Sequence, residues 1–215
     1  MRNGIRGLLL IFVLCGMSCR TAEPVFCRTQ EHAVDGYPAW GQGGRIRVLV
    51  EIPAGTNQKW EALKDGSGIA WELKDGKRRV IQYLPYPANY GMIPQTLLPK
   101  EQGGDGDPLD AIVLGPAVKR GSVVQARVIG VLRLKDGGET DNKILSVTSG
   151  SPMDGVKSIS DLARRFPGVL KIIETWFSSY KGPGEMVSDG YDGPMKAGAM
   201  VKLAHQAWEE TARVK

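Results

Sequence analysis

The chain has 215 residues, 42% of them hydrophobic and 24% charged, with a formal net charge of +5. Those values fit one soluble globular domain, large enough to bury a core without disulfide staples. No run of five like charges occurs, which excludes the dense Lys/Arg clustering of a dedicated nucleic-acid binder, while a mild positive field suits a small anionic substrate.

The first residues do not read as fold. Arg2 and Arg6 flank the start of an uncharged apolar run, "GLLLIFVLCGM" at 7–17, and the first acidic residue is Glu23. This is the plan of a secretory signal, too short to span a bilayer comfortably. "GMSC" places Cys19 in a setting similar to a bacterial lipobox, with Gly16 where that motif usually carries Leu. The expectation is a signal peptide over 1–18 and an exported, periplasmic or lipid-anchored protein whose only tie to a membrane is Cys19. A mitochondrial or cytoplasmic location is the rival; transit peptides are amphipathic, and this run is unbroken. Cys15, Cys19 and Cys27 are the only cysteines, so the body holds neither a disulfide framework nor a cysteine metal site. A Cys19–Cys27 disulfide stays open if Cys19 carries no lipid. Residues 19–44 are rich in Gly, Pro and polar residues and read as a tether and entry loop ahead of a domain over 45–215.

"RIRVLVEIP" at 45–53 alternates, with Ile46, Val48, Val50 and Ile52 on one face and Arg45, Arg47, Leu49 and Glu51 on the other. "KWEAL", "IAWELKDGKRRVIQYL" and "AIVLG" continue as short strands, and "KDGK" at 74–77 carries the Asp-Gly of a hairpin turn. "GSVVQARVIGVLRLKDGG" at 121–138 is a long β-branched run closed by a second such turn, with "NKILSV" after it. Closely spaced short strands indicate a small barrel or a strongly curled sheet. After residue 158 the period changes. Ser160 is expected to cap a helix with Asp161 in its first turn. Pro167 is expected in the first turn of a second helix carrying Val169, Ile172, Ile173 and Trp176 on one face. Pro194 opens a third helix, with Ala197, Met200, Val201, Ala204 and Trp208 in a stripe. Strands first and helices after give an α+β class.

"GGDGDPLDAIVLG" at 103–115 sets Asp105, Asp107 and Asp110 beside a core strand. Its glycines let the backbone bend and Pro108 fixes φ, so the carboxylates can converge. Oxygen-only donors suit hard cations such as Mg²⁺. An EF-hand is excluded, because the twelfth position counted from Asp105 is Pro116, where a bidentate Glu is required. Alone, this stretch is equally a solvated turn. A second acidic turn, "LKDGGETDNKIL" at 134–145, adds Asp136, Asp141 and Lys143. Lys59, Lys77, Arg78, Arg79, Tyr86, Tyr90, Tyr180 and Lys181 supply cations and phenols, with Glu61 two residues from Lys59. A hard-metal cage beside such donors suits a phosphate-rich substrate.

"VEIPAGTNQKWE", "YPANYGMIPQTL", "GDGDPLDAIVL", "GVLRLKDGGETDNKI" and "TWFSSYKG" together, in this order, resemble the segments of the family I soluble inorganic pyrophosphatases. The resemblance covers roughly residues 45–185, and the last helix fits as well. It implies an OB-like five-stranded β-barrel with helices packed outside, several Mg²⁺ ions per site, hydrolysis of pyrophosphate by a metal-activated water, and association into homo-oligomers. It places metal ligands at Asp105, Asp110, Asp141, Asp136, Glu51 and Glu61, and the general base at Asp107. It places substrate contacts at Lys59, Tyr86, Tyr90, Lys143, Tyr180, Lys181 and one arginine. A gapless count from the Tyr-Pro segment picks Arg78, and the habit of Arg before an apolar residue picks Arg79, which is favoured. Two other readings stand beside it: an exported phosphate- or metal-binding OB-like module without turnover, and a hydrolase of other phosphoanhydrides. Nucleic acid is not expected, since a module for it wants stacking aromatics along a basic groove with few carboxylates.

Overall fold

In the computed structural model, which describes residues 25–99 and 106–214, twelve strands and three α-helices are assigned among the described residues. The strands are β1 (Phe26–Arg28), β2 (Ile46–Ile52), β3 (Trp60–Ala62), β4 (Gly68–Trp71), β5 (Leu73–Lys74), β6 (Lys77–Arg78), β7 (Asn89–Met92), β8 (Asp110–Leu114), β9 (Val123–Asp136), β10 (Glu139–Thr140), β11 (Lys143–Thr148) and β12 (Met186–Asp192). The helices are α1 (Ile159–Arg165), α2 (Val169–Ser179) and α3 (Pro194–Val214). The expected signal peptide, Cys15 and Cys19 lie outside the described residues.

Five strands close a ring in the order β2, β9, β11, β8, β7 and back to β2. Closure depends on the length of β9. Its first residues pair with β2, its middle with β11, and its far end with β12 and β10. All ring pairings are antiparallel except β8 with β11. This is the OB-like barrel of an α+β fold. The two Asp-Gly turns fold as their chemistry requires: Asp75 and Gly76 both take positive φ between β5 and β6, and Gly137 and Gly138 do so between β9 and β10.

The clean alternation of β2 is broken. Val50 pairs with Gly91 and Ile52 with Tyr90, so Glu51 is the extra residue of a bulge. The bulge returns Ile52 to the side of Leu49, in the core shared with α2, while Ile46 and Val48 face the core shared with α3. It also turns Glu51 inward. Gly91 is needed opposite, because a Cβ there would sit 1.9 Å from the Leu49 carbonyl oxygen.

Three local expectations are corrected. Residues 25–44, read as the end of a tether and an entry loop, are docked: β1 pairs with β4, and Ala33 and Ala39 are buried. Apolar side chains within a polar, turn-rich segment were enough to seat it. Helix α1 is capped by Ser158, whose hydroxyl accepts from the Asp161 N–H at 3.1 Å, not by Ser160, which stands inside the helix. Pro167 lies before α2 rather than in its first turn, since Gly168 with φ of 88° is the cap residue. Pro194 does open α3, and Ala197, Val201 and Ala204 of the expected stripe are buried against the barrel.

Candidate active site

The ends of the ring strands carry the chemistry. Asp110 is the first residue of β8 and Lys143 the first of β11, which lie side by side. The loop into β8 is pinned before it delivers Asp110. The Gly106 N–H donates to the Leu98 carbonyl at 2.8 Å, and the Leu109 N–H to the Thr96 hydroxyl at 2.9 Å. Asp136 ends β9, and Asp141 lies between β10 and β11, tied by its N–H to the Leu134 carbonyl at 2.9 Å. Tyr180 caps the C-terminus of α2, with Lys181 next to it.

Lys143 is the hub. Its side chain is 5% exposed, and its ammonium meets both Asp110 and Asp141. Burial would push that ammonium down, but the two carboxylates prevail and hold it protonated. Burial likewise raises Asp110, yet the Lys143 charge, the nearby Lys59 and a hydrogen bond from Tyr90 keep it below the usual carboxylate range. Asp141 is pushed up, by burial and then by the charge of Asp110, against the pull of Lys143.

The second group forms around Glu51, Lys59 and Glu61. Glu51, 5% exposed, accepts from the Ala62 N–H at 2.6 Å. Burial drives its carboxyl up to about 8, against the Lys59 charge. Lys59 pairs with Glu61 at 2.7 Å. The Lys59 and Lys143 ammoniums lie 5.9 and 5.7 Å from the centre of the Tyr90 ring. Tyr86, Tyr90 and Tyr180 are all held above the ordinary phenol range, burial being the largest cause in each. All three therefore stay neutral hydrogen-bond donors at neutral pH.

Arg78 and Arg79 separate by side. The Arg79 guanidinium binds both oxygens of Glu72 at 2.8 and 2.9 Å and lies near Tyr180 and Tyr86. Arg78 is exposed and stacks over the Trp71 ring, 5.1 Å from its centre. The geometry thus brings Arg79 to the site and leaves Arg78 outside it.

Lys181 pairs with Asp136. Asp107 is half-exposed, with Lys64 at 3.2 Å, and lines a cavity with Lys64, Thr96 and Trp208 that none of Asp110, Asp141 and Lys143 borders. Asp105 lies outside the described residues. Three contributors were not singled out from the sequence. Glu72 holds Arg79. Trp176 stacks on Tyr180 at 4.8 Å and 8° and donates from its indole N–H to the Leu84 carbonyl at 2.8 Å. Arg120 donates to the carbonyl of Glu51 at 2.9 Å and covers the Trp60 ring at 4.1 Å. Glu72 was legible as a carboxylate beside the Lys-Asp-Gly-Lys turn, and Trp176 stands one helical turn before Tyr180; the Leu84 contact of Trp176 and both contacts of Arg120 are distant in sequence.

Among the described residues no three carboxylates converge on one point; ammonium groups stand between them. The donor chemistry nevertheless fits a hard divalent cation. Asp110 and Asp141 share one cationic neighbour, all candidate ligands are carboxylate oxygens, and no softer donor is among them.

The buried Glu51 has a consequence for stability. Its folded value of about 8 exceeds the ordinary 4.5. Between those values the folded protein keeps a proton that the unfolded chain releases, so stability falls as pH rises through this window. Glu51→Gln has no proton to lose. In metal-free buffer, the stability of the wild type relative to this variant is expected to decline between pH 5 and pH 8. Urea midpoints at both pH values check this, and parallel curves would refute the burial argument.

The model of the family described as "Inorganic pyrophosphatase" matches residues 48–209. An inorganic pyrophosphatase of Synechocystis sp. is 40% identical over 154 residues, covering 71% of this chain and 83% of the relative. One from Yarrowia lipolytica is 34% identical over 185 residues, covering 76% of this chain and 64% of the relative's own length. The crystal structure of type I inorganic pyrophosphatase from Toxoplasma gondii superposes with a TM-score of 0.79 at 29% identity, over 84% of this chain and 88% of that one. With the barrel, the acidic strand ends and the matched span in agreement, the chain belongs to the inorganic pyrophosphatase family.

Proposed function

We propose that the protein hydrolyses inorganic pyrophosphate to two phosphates in a Mg²⁺-dependent reaction. The observation that carries this is the single cluster joining the Asp110–Lys143–Asp141 triad to Lys59, Arg79 and three neutral phenols. Asp110 and Asp141 would hold the ions, with Asp105, Asp136, Glu51 and Glu61 completing the set. Divalent ions, when bound, supply neutralising charge for phosphate oxygens and Lewis acidity toward water.

The chain's own groups do the rest. Arg79 can grip a phosphoryl group through two parallel hydrogen bonds, which a lysine cannot. Lys59, Lys143 and Lys181 provide point charges, and Tyr86, Tyr90 and Tyr180 donate hydrogen bonds without a change of charge. Asp107, its carboxylate half-exposed, would accept a proton from water. The phosphate- or metal-binding module without turnover is the reading this must beat. Phosphate release from pyrophosphate with and without Mg²⁺ decides between them: rapid metal-dependent release is expected, and none in either condition would leave only binding.

The arginine assignment is tested separately. Arg79→Ala is expected to lower kcat/KM for pyrophosphate about a hundredfold, the loss of a charged hydrogen-bonding contact worth roughly 2.7 kcal/mol. Arg78→Ala should change it less than threefold. Equal losses would put the substrate arginine back in doubt.

Export belongs to the same reading, supported by the basic start and apolar run of residues 1–17. Mass spectrometry of the mature N-terminus tests it: loss of residues 1–18 is expected, acylation of Cys19 would add a lipid anchor, and an intact Met1 in the soluble fraction would overturn it. Homo-oligomer formation, carried by the family resemblance, is read by light scattering.

A further inference from the structure

Gln95 has a positive φ of 53°, a backbone conformation that among the described non-glycine residues only Asp75 shares. It follows Pro94 in the turn after β7, where glycine or asparagine is the usual occupant. Such a backbone persists only where its surroundings over-determine it. The Gln95 N–H donates to the Val34 carbonyl at 2.8 Å, its side-chain amide donates to the Asp35 carbonyl at 2.9 Å, and its own carbonyl meets Nδ1 of His205 at 2.7 Å. A carbonyl only accepts, so Nδ1 carries the proton. The His205 ring stacks on Trp208, with centres 5.7 Å apart, and the Trp208 indole N–H donates to the Asp35 carboxylate at 2.7 Å. The docked N-terminal segment and α3 thus hold Gln95 from two sides and hold each other.

Gln95 belongs to a strap, residues 93–98, on which the acid loop, residues 106–110, is hung. The Ile93 N–H donates to the Leu109 carbonyl at 2.8 Å and the Leu98 N–H to the Asp107 carbonyl at 3.0 Å. In return the Gly106 N–H donates to the Leu98 carbonyl and the Leu109 N–H to the Thr96 hydroxyl. These bonds bracket Asp107 and end one residue before Asp110. Thr96 donates in turn to the Ile93 carbonyl at 2.6 Å, closing the turn around Gln95. Val34, Asp35, Thr96, Asp107 and Trp208 line a cavity of about 410 Å³ between these elements. On that side polar contacts, rather than packing, fix the strap.

We propose that Gln95 and His205 are positioning residues for the acid loop: by fixing the strap they fix the backbone that carries Asp107 and Asp110. The inference rests on the pyrophosphatase reading for the roles of those two aspartates. Both residues act through backbone bonds, not through contact with the reacting atoms. A carboxylate on a looser loop samples more positions, so cation binding and proton transfer both lose preorganisation. Partners that orient ligands and bases in this way are worth about ten- to a hundredfold in metal affinity or rate. Residues 25–44 are then part of the working site, since Val34 and Asp35 hold one side of Gln95.

The test uses the full chain with His205→Phe, which keeps a ring on Trp208 but has no donor, and His205→Asn, whose amide keeps a donor near the place of Nδ1. Amide hydrogen exchange in metal-free buffer reads the strap directly. The Leu98 and Leu109 N–H groups are expected to exchange about tenfold faster in His205→Phe, with β9 and β11 unchanged, and to recover in His205→Asn. Calorimetric titration with Mg²⁺ should show about tenfold weaker binding at unchanged stoichiometry, and kcat for pyrophosphate should fall about tenfold with KM within about twofold. A merely structural loss would lower the folded fraction, and so the stoichiometry, while leaving the affinity as it was. Gln95→Gly is the second variant. Positive φ costs glycine nothing, so the fold is spared, but the Asp35 bond is gone, and the same shifts are expected at about threefold. Unchanged exchange at Leu98 and Leu109 in both variants would overturn the proposal. So would faster exchange with metal affinity and turnover untouched, or an asparagine variant no better than the phenylalanine one. A wild type that releases no phosphate would sink the pyrophosphatase reading, and exchange and Mg²⁺ titration would still decide for or against the strap.

Discussion

Asp107→Asn is expected to lose about two to four decades of Mg²⁺-dependent phosphate release, the usual contribution of a positioned general base, while metal binding persists. The asparagine keeps the volume and hydrogen-bonding shape of the side chain but cannot take a proton near neutral pH. Asp107 is suited to the role by contrast with its neighbours. Asp110 is tied to Lys143 and Asp141 shares that ammonium, whereas Asp107 is half-exposed and meets the far end of a long cation, Lys64, itself 87% exposed. An exposed pair of this kind is worth about 0–1 kcal/mol, so it restrains the carboxylate little. Lys64→Ala should therefore change the rate less than tenfold. Turnover near that of the wild type in Asp107→Asn would remove Asp107 from the base role. A loss of Mg²⁺ binding in the same variant, followed by calorimetry, would make it a ligand instead.

The second large effect is expected at Lys143. Lys143→Met removes the ammonium between Asp110 and Asp141 and leaves two partly buried carboxylates facing each other. Breaking a fully buried pair from one side typically costs about 3–5 kcal/mol; with Asp110 and Asp141 still partly solvated, the expected loss lies at the low end, about 3 kcal/mol. Urea unfolding in metal-free buffer should show a loss of that size. Part of it should return with Mg²⁺, since a divalent cation can take over the neutralising role between the same oxygens. Phosphate release should fall as well, with the substrate deprived of a point charge. A variant as stable as the wild type without metal would mean that the triad is not a buried electrostatic unit. An equal loss with and without Mg²⁺ would mean that cations do not bind between these two aspartates.

The two tests bear on different parts of the site, and the difference follows from burial. Lys143 is buried between two partly exposed carboxylates, so its removal is expected to be felt by the fold and by the substrate together. Asp107 is half-exposed, so its loss is expected to cost the fold little and, if it is the base, to be felt by the reaction.

Much of this could be read before any coordinates. The two Asp-Gly turns, the short strands and the opening of the last helix at Pro194 are decided by neighbours along the chain, and they formed where expected. The carboxylates, lysines and tyrosines were legible as a set because the segments holding them are themselves distinctive. Errors of one or two residues at the caps of α1 and α2 came from rival local candidates, Ser158 against Ser160 and Gly168 against Pro167. The docking of residues 25–44 was missed because a polar, glycine-rich stretch gives no periodic signal, and its few buried groups find partners far along the chain.

The sequence by itself determined which chemical groups the protein possesses and the turns that present them: acidic loops ahead of β8 and β11, a basic hairpin, and phenols at set places. Only the tertiary structure decided which of them meet. Ring closure by the long β9 sets β8 beside β11 and so puts Asp110 and Asp141 on one lysine. A bulge against Gly91 turns Glu51 inward, where burial raises its carboxyl. The pairing of Glu72 with Arg79 sets that guanidinium near Tyr86 and Tyr180, while Arg78 lies over Trp71. The physical reason is common to all three. Charge and turn propensity are properties of a few consecutive residues, whereas burial, and with it the strength of every charge interaction, exists only once distant strands have closed around the site.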